Sequence, residues 1–116
     1  MNVEWVRKHC LSLPHTTEMV QWGDHLLFKI GGKMYAALSL SPGGNFLSCK
    51  APPEEFEDLV ERPGIIPAPY LARAKWVALQ SEEAMSRAEV KHRLSQSYAL
   101  VLAKLPKKTR DSLGTK

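Results

Sequence analysis

His25-Leu26-Leu27-Phe28-Lys29-Ile30-Gly31-Gly32-Lys33-Met34-Tyr35-Ala36-Ala37-Leu38-Ser39-Leu40 is the stretch that decides the fold. Its first six residues alternate, with Leu26, Phe28 and Ile30 on one face and His25, Leu27 and Lys29 on the other, the two-residue period of a strand with one buried face. Gly31-Gly32 then supplies two residues that adopt φ > 0 without a Cβ clash, as a two-residue hairpin turn requires. The return strand, residues 33–40, is expected to place Met34, Ala36, Leu38 and Leu40 inward. Lys29 and Lys33 flank one tight turn.

Outward from this hairpin the pattern stays regular. Asn2 caps a helix that runs to about Leu13 and stops before Pro14, with Val3, Val6, Cys10 and Leu13 on its buried stripe. A short strand is expected at 19–22. Residues 41–45, Ser-Pro-Gly-Gly-Asn, read as a second hairpin loop leading to a strand at 46–50. Pro53 opens a second helix that buries Phe56, Leu59 and Val60 and exposes Glu54, Glu57, Asp58 and Glu61. Pro67 and Pro69 reduce residues 65–71 to an irregular edge strand. Residues 75–80 are a better strand, Trp76 and Ala78 opposing Val77 and Leu79. Ser86 and Glu89 form a capping box for a last helix to about Lys104, ended by Pro106. The order is helix, three or four strands, helix, one or two strands, helix. It implies an α+β fold, a two-layer sandwich with helices on one face of an antiparallel sheet. Residues 1–106 are expected to form one domain, and 107–116 a basic flexible tail.

The 116 residues carry a net charge of +4, but Lys104, Lys107, Lys108, Arg110 and Lys116 against Asp111 account for all of it. Within the body the signs are sorted. Lys29, Lys33 and Lys50 lie in a stretch without acids, as do Arg62, Arg73 and Lys75, while Glu54, Glu55, Glu57, Asp58 and Glu61 crowd between the two. Brought into one sheet, those basic stretches give a positive local field on a nearly neutral molecule. The alternative is a solvated surface.

Other chemistry is not signalled. No apolar run approaches the ~18 residues that span a bilayer. The first residues lack a secretory layout, and the two cysteines, Cys10 and Cys49, are expected to be reduced and structural, which suggests a cytoplasmic protein. The four histidines are scattered without ligand spacing, and no nucleophile–base pair, phosphate-binding loop or paired acid–base set appears. The expectation is a protein that is not an enzyme and needs no cofactor or metal.

Trp22-Gly23-Asp24-His25, Phe28-Lys29-Ile30-Gly31-Gly32-Lys33-Met34-Tyr35, Lys50-Ala51-Pro52, the Pro-Gly-Ile-Ile-Pro-Ala run at 63–68, Lys75-Trp76-Val77 and Ser97-Tyr98 together resemble the MmcQ/YjbR family of small bacterial proteins. The resemblance covers about residues 3–105. It implies a fold similar to secretion chaperones and a proposed DNA-binding role through two β-hairpin wings. Lys29, Gly31, Gly32 and Lys33 match the first wing, and Lys50, Lys75 and Trp76 match other signature positions. The loop at 41–45 carries no base, and the resemblance supplies no catalytic residue. The leading expectation is therefore a module that grips the phosphates of double-stranded DNA largely without reading bases. Lys29, Lys33, Lys50, Arg73 and Lys75 would make the contacts, Tyr35, Tyr70 and Trp76 would be interleaved, and Lys107, Lys108 and Arg110 would add a mobile anchor. The alternative is a protein-interaction adaptor that uses an exposed apolar patch, Leu27, Tyr35 and Leu47, for a homodimer or peptide. A third expectation is a small-molecule site near His25 and Trp76.

Overall fold

A computed structural model describes residues 2–41 and 43–113. Asn2 accepts a hydrogen bond from the Trp5 amide (2.9 Å) and starts α1, Val3–Ser12. Strands β1 (Thr17–Gln21), β2 (His25–Ile30), β3 (Lys33–Ser39) and β4 (Leu47–Lys50) follow. Pro53 is the first residue of α2, Pro53–Val60. Strand β5 (Ile65–Pro67), a 3-10 turn at Ala72–Ala74, strand β6 (Trp76–Leu79) and a second 3-10 turn at Glu82–Ala84 lead to α3, Arg87–Ala103, and α4, Lys107–Ser112.

All six strands form one antiparallel sheet in the order β1-β2-β3-β4-β6-β5. Leu26, Phe28, Ile30, Leu38, Leu47, Val77 and Leu79 face the helices. Helix α3 crosses the centre of the sheet and lays Val90, Leu94 and Tyr98 on it, α2 covers the β5–β6 side, and α1 packs on α3. Each fully buried aliphatic side chain contributes about 1.5–3 kcal/mol, so the shared core, not helix propensity, fixes these positions.

Ser86 caps α3 by accepting from the Glu89 amide at 3.2 Å, but Glu89 does not close the capping box. Its carboxylate receives a two-pronged hydrogen bond from Arg62 instead. Arg62 is thereby withdrawn from the basic stretch the sequence suggested.

Two further expectations are corrected here. Phe28 pairs with Ala36 and Lys29 with Met34, so Tyr35 is an extra residue in β3, a bulge. The bulge breaks the alternation and turns Met34, expected inward, onto the other face beside Lys29. Tyr35 goes into the core, its hydroxyl donating to the Cys10 carbonyl (3.2 Å) and bonding Thr16 (2.9 Å), its ring edge-on to Tyr98. Leu40, also expected inward, lies past the strand end and is exposed.

The frayed tail expected from Lys107 is a helix as far as Ser112; residues 114–116, with Lys116, lie outside the described residues, as does Pro42 of the second hairpin loop. That helix caps the hairpin turn. A Cβ placed on Gly31, whose φ is +58°, would stand 2.6 Å from Leu105 Cδ1 and 3.1 Å from Thr109 Cγ2. Gly32, at φ +81°, has nothing within 4 Å. Gly31→Ala is therefore expected to lose about 2–4 kcal/mol, left-handed strain plus overpacking. Gly32→Ala should lose only the strain, about 1 kcal/mol. Urea titration of both variants measures the difference, and equal losses would mean that α4 does not press on the turn.

Candidate functional site

Antiparallel pairing brings the sorted cations to one end of the sheet. The β2–β3 turn, the end of β4 and the start of β6 are neighbours there, since Ala36 pairs with Cys49 and Lys50 with Trp76. The C-terminal end of α3 reaches the same place. Lys33, Lys50 and Lys104 line one shallow concavity of about 240 Å³ together with Met34, Trp76 and Val101. Lys29 stands opposite Met34 in the β2–β3 register. Burial, and then the Lys104 charge, pull the Lys50 pKa below the ordinary lysine value. Among the described residues none of these lysines is in a salt bridge, whereas Arg7, Arg62 and Arg93 pair with Glu18, Glu89 and Glu55. Those three carboxyls are held below their usual range chiefly by the arginine hydrogen bonds.

The other expected residues are distributed less simply. Lys75, in left-handed backbone (φ 66°) after the 3-10 turn, lays its ammonium 5.0 Å from the centre of the Phe56 ring. Lys50 donates from Nζ to the Ala74 carbonyl at 2.7 Å, so it also ties β4 to that turn. Arg73 is exposed on the same turn. Lys107 and Lys108 are exposed on α4, and Arg110 is half-buried there, so they form part of a docked helix and not a mobile anchor. Gly31 and Gly32 shape the turn, but Gly31 is covered by Leu105 and Thr109. Trp76 is not available for stacking. Only 5% exposed, it packs with Ala68, Ala78, Met34, Ile66 and Leu71, because the chain from 68 to 75 folds back over that half of the sheet. Lys104 was missed as a site residue: its sequence position suggests a tail, and only the fold carries it to Lys33 and Lys50.

The adaptor patch does not exist in the form expected. Leu27, Tyr35 and Leu47 are 2%, 0% and 1% exposed; Leu47 faces the helices opposite Leu38, and the bulge buries Tyr35. What the face away from the helices does present is a cleft of about 520 Å³ between the β1–β2 turn and residues 68–71. Trp22, His25, Met34, Ala37, Ser48 and Tyr70 line it. His25 lines this cleft, while Trp76, which the small-molecule expectation set beside it, lines the lysine concavity instead. The His25 Nδ1 hydrogen-bonds Asp24 Oδ1 (2.8 Å), and Asp24 Oδ2 accepts from the Ser41 hydroxyl (2.5 Å). Both bonds lower the Asp24 pKa.

The thiols of Cys10 and Cys49 are buried and pushed up to about 12, chiefly by desolvation. Neither is expected to react with Ellman's reagent at pH 8 in the native protein, and both should react in guanidinium. Release of thionitrobenzoate before unfolding would show an exposed thiolate. Among the described residues no three His, Cys, Asp or Glu side chains gather to hold a metal ion, and no helix is long and apolar enough to cross a membrane.

The YjbR family model matches residues 11–100, a span that takes in the hairpin, the lysine-lined end of the sheet and most of α3. The chain belongs to the YjbR family. The YjbR fold is also seen in the crystal structure of the Deinococcus radiodurans protein DR2400, which carries a DUF419 domain. It is 31% identical, the match covering 99% of this chain and 89% of that one, with a TM-score of 0.87. A Pseudomonas syringae protein, a structural-genomics target, shares the fold at a TM-score of 0.73 and 21% identity, over 86% of this chain and 98% of that one. No curated protein matches the chain.

Proposed function

We propose that this YjbR-family protein binds the phosphate backbone of duplex DNA at the lysine-rich end of its sheet. The observation that carries the proposal is the convergence of Lys33, Lys50 and Lys104 on one concavity, none of them in a salt bridge among the described residues. Burial first, and then the Lys104 charge, lower the Lys50 pKa, and an anion that enters between the lysines offsets the second of these. Lys29 near the end of β2 and Lys107 and Lys108 on α4 widen the positive surface to the reach of more than one phosphate. Lysine is a point charge suited to phosphate, whereas two-pronged guanine recognition belongs to arginine, and Arg7, Arg62 and Arg93 are engaged with glutamates. Binding is accordingly expected to depend strongly on salt and weakly on sequence.

Fluorescence anisotropy on a labelled duplex at several salt concentrations tests this. Three phosphates neutralised by the three lysines predict a slope of log K against log salt of about −2.7. A slope near zero, or no binding at low salt, would remove the proposal.

A further inference from the structure

We infer that the cleft on the open face of the sheet receives a nucleobase that is out of the stack, so that the preferred ligand is DNA with an unpaired base; this rests on the backbone-binding proposal above. The cleft and the lysine concavity meet at Met34, which lines both. A ring seated in the cleft is therefore next to the place where its phosphate would be held.

The cleft has the features of a heteroaromatic site. Its volume of about 520 Å³ lies in the range of small-ligand sites, roughly 300–1,000 Å³. Ala37 and Ser48, cross-strand partners in β3 and β4, contribute small side chains to its lining. Two large aromatics stand at opposite sides, Trp22 at 62% exposure and Tyr70 fully exposed. Both are in the left-handed region, Trp22 at φ 57° and Tyr70 at φ 66°, unusual for bulky residues and costly to keep. No core burial offsets that cost, whereas stacking on a base does.

The polar groups fit a base edge better than an acyl chain. A carboxylate only accepts, so His25 donates from Nδ1 to Asp24, and neutral His25 then has Nε2 left as an acceptor. The edge of the Trp22 ring packs on this imidazole, 5.5 Å between centroids. The Ser48 hydroxyl, which can both donate and accept, makes no hydrogen bond to another described residue. A paired duplex keeps its bases stacked and cannot fill such a cleft; a bulged or single-stranded nucleotide can.

The test compares three labelled ligands: a duplex, the same duplex with a one-nucleotide bulge, and single-stranded oligothymidylate. Wild type is expected to bind the latter two at least about tenfold more tightly than the duplex. Trp22→Ala and Tyr70→Ala should each abolish that preference while leaving duplex affinity and its salt slope unchanged. Trp22→Phe, which keeps a ring, should retain it. Equal affinity for all three ligands, or a preference that survives both alanine variants, overturns the inference while the backbone proposal stands. Failure to bind any of the three overturns both. Quenching of tryptophan emission by thymidine monophosphate that is lost in Trp22→Phe, without binding of any oligonucleotide, overturns it in favour of a free-nucleotide site.

Discussion

Ser97→Ala is expected to destabilise the protein by about 2–4 kcal/mol, much of the 5–15 kcal/mol typical of a domain. Among the described residues Ser97 is the one buried polar side chain of the core, 0% exposed on α3. Its hydroxyl donates to the Tyr35 carbonyl at 2.6 Å and accepts from the Lys50 amide at 2.9 Å. Those two backbone groups belong to neighbouring strands just beyond the Ala36–Cys49 pair, where the bulge in β3 interrupts the ladder. The serine stands in for the missing strand-to-strand bond, and alanine leaves a donor and an acceptor buried without partners, each costing about 1–3 kcal/mol. Ser95→Ala, which loses only a 3.3 Å contact to His9, is the control and should cost under about 0.5 kcal/mol. Urea titration at constant m distinguishes them. A Ser97→Ala midpoint equal to that of the control would show that the strands close without the hydroxyl.

The double reversal Lys33→Glu with Lys104→Glu is expected to weaken duplex binding about a hundredfold at 0.15 M salt. Each reversal replaces an attraction of about 1 kcal/mol at ~4 Å in water by a repulsion of equal size. Two reversals amount to about 4 kcal/mol before screening, and screening removes part of it. Lys33 and Lys104 are both exposed, so circular dichroism and the urea midpoint should stay at wild-type values. Lys50 is avoided because its ammonium also holds the Ala74 carbonyl. The control is Lys8→Glu with Arg87→Glu, which changes net charge equally on exposed positions of α1 and α3. It should weaken binding only a few-fold through the general field. If both pairs cost the same, the DNA is responding to total charge and the concavity has no special part in it.

The central hairpin was legible because it is coded locally. Alternation in β2, two glycines and the alternation that follows define His25–Ile30 and the start of β3 to the residue. The Asn2, Pro53 and Ser86 helix starts were legible for the same reason, each a side chain or ring acting within one turn. The bulge was not, since Met34 and Tyr35 are both apolar and a one-residue slip leaves the composition of a strand unchanged. Helix α4 was hidden too. Lys107–Ser112 has no apolar stripe of its own and follows a proline, and its anchors, Leu105 and Leu113, lie outside it. The candidate site was half legible. Charge sorting singled out Lys29, Lys33 and Lys50, but Lys104 joins them only through a sheet order that no local pattern encodes. The same holds for the cleft, whose walls come from residues 22 and 70 at opposite sides of the sheet.

The seat of Leu105 and Thr109 against Gly31 bears on how the chain matures during synthesis. Residues 25–39 can zip together while the ribosome is still reading the second half of the message, since their contacts span only a short loop. Their glycine tip stays wet until residue 109 has cleared the exit tunnel, because Leu105 and Thr109, which shield it, emerge long after the turn itself. Lys104 travels on that same later segment, so the cationic concavity closes only after the hairpin that forms one of its sides.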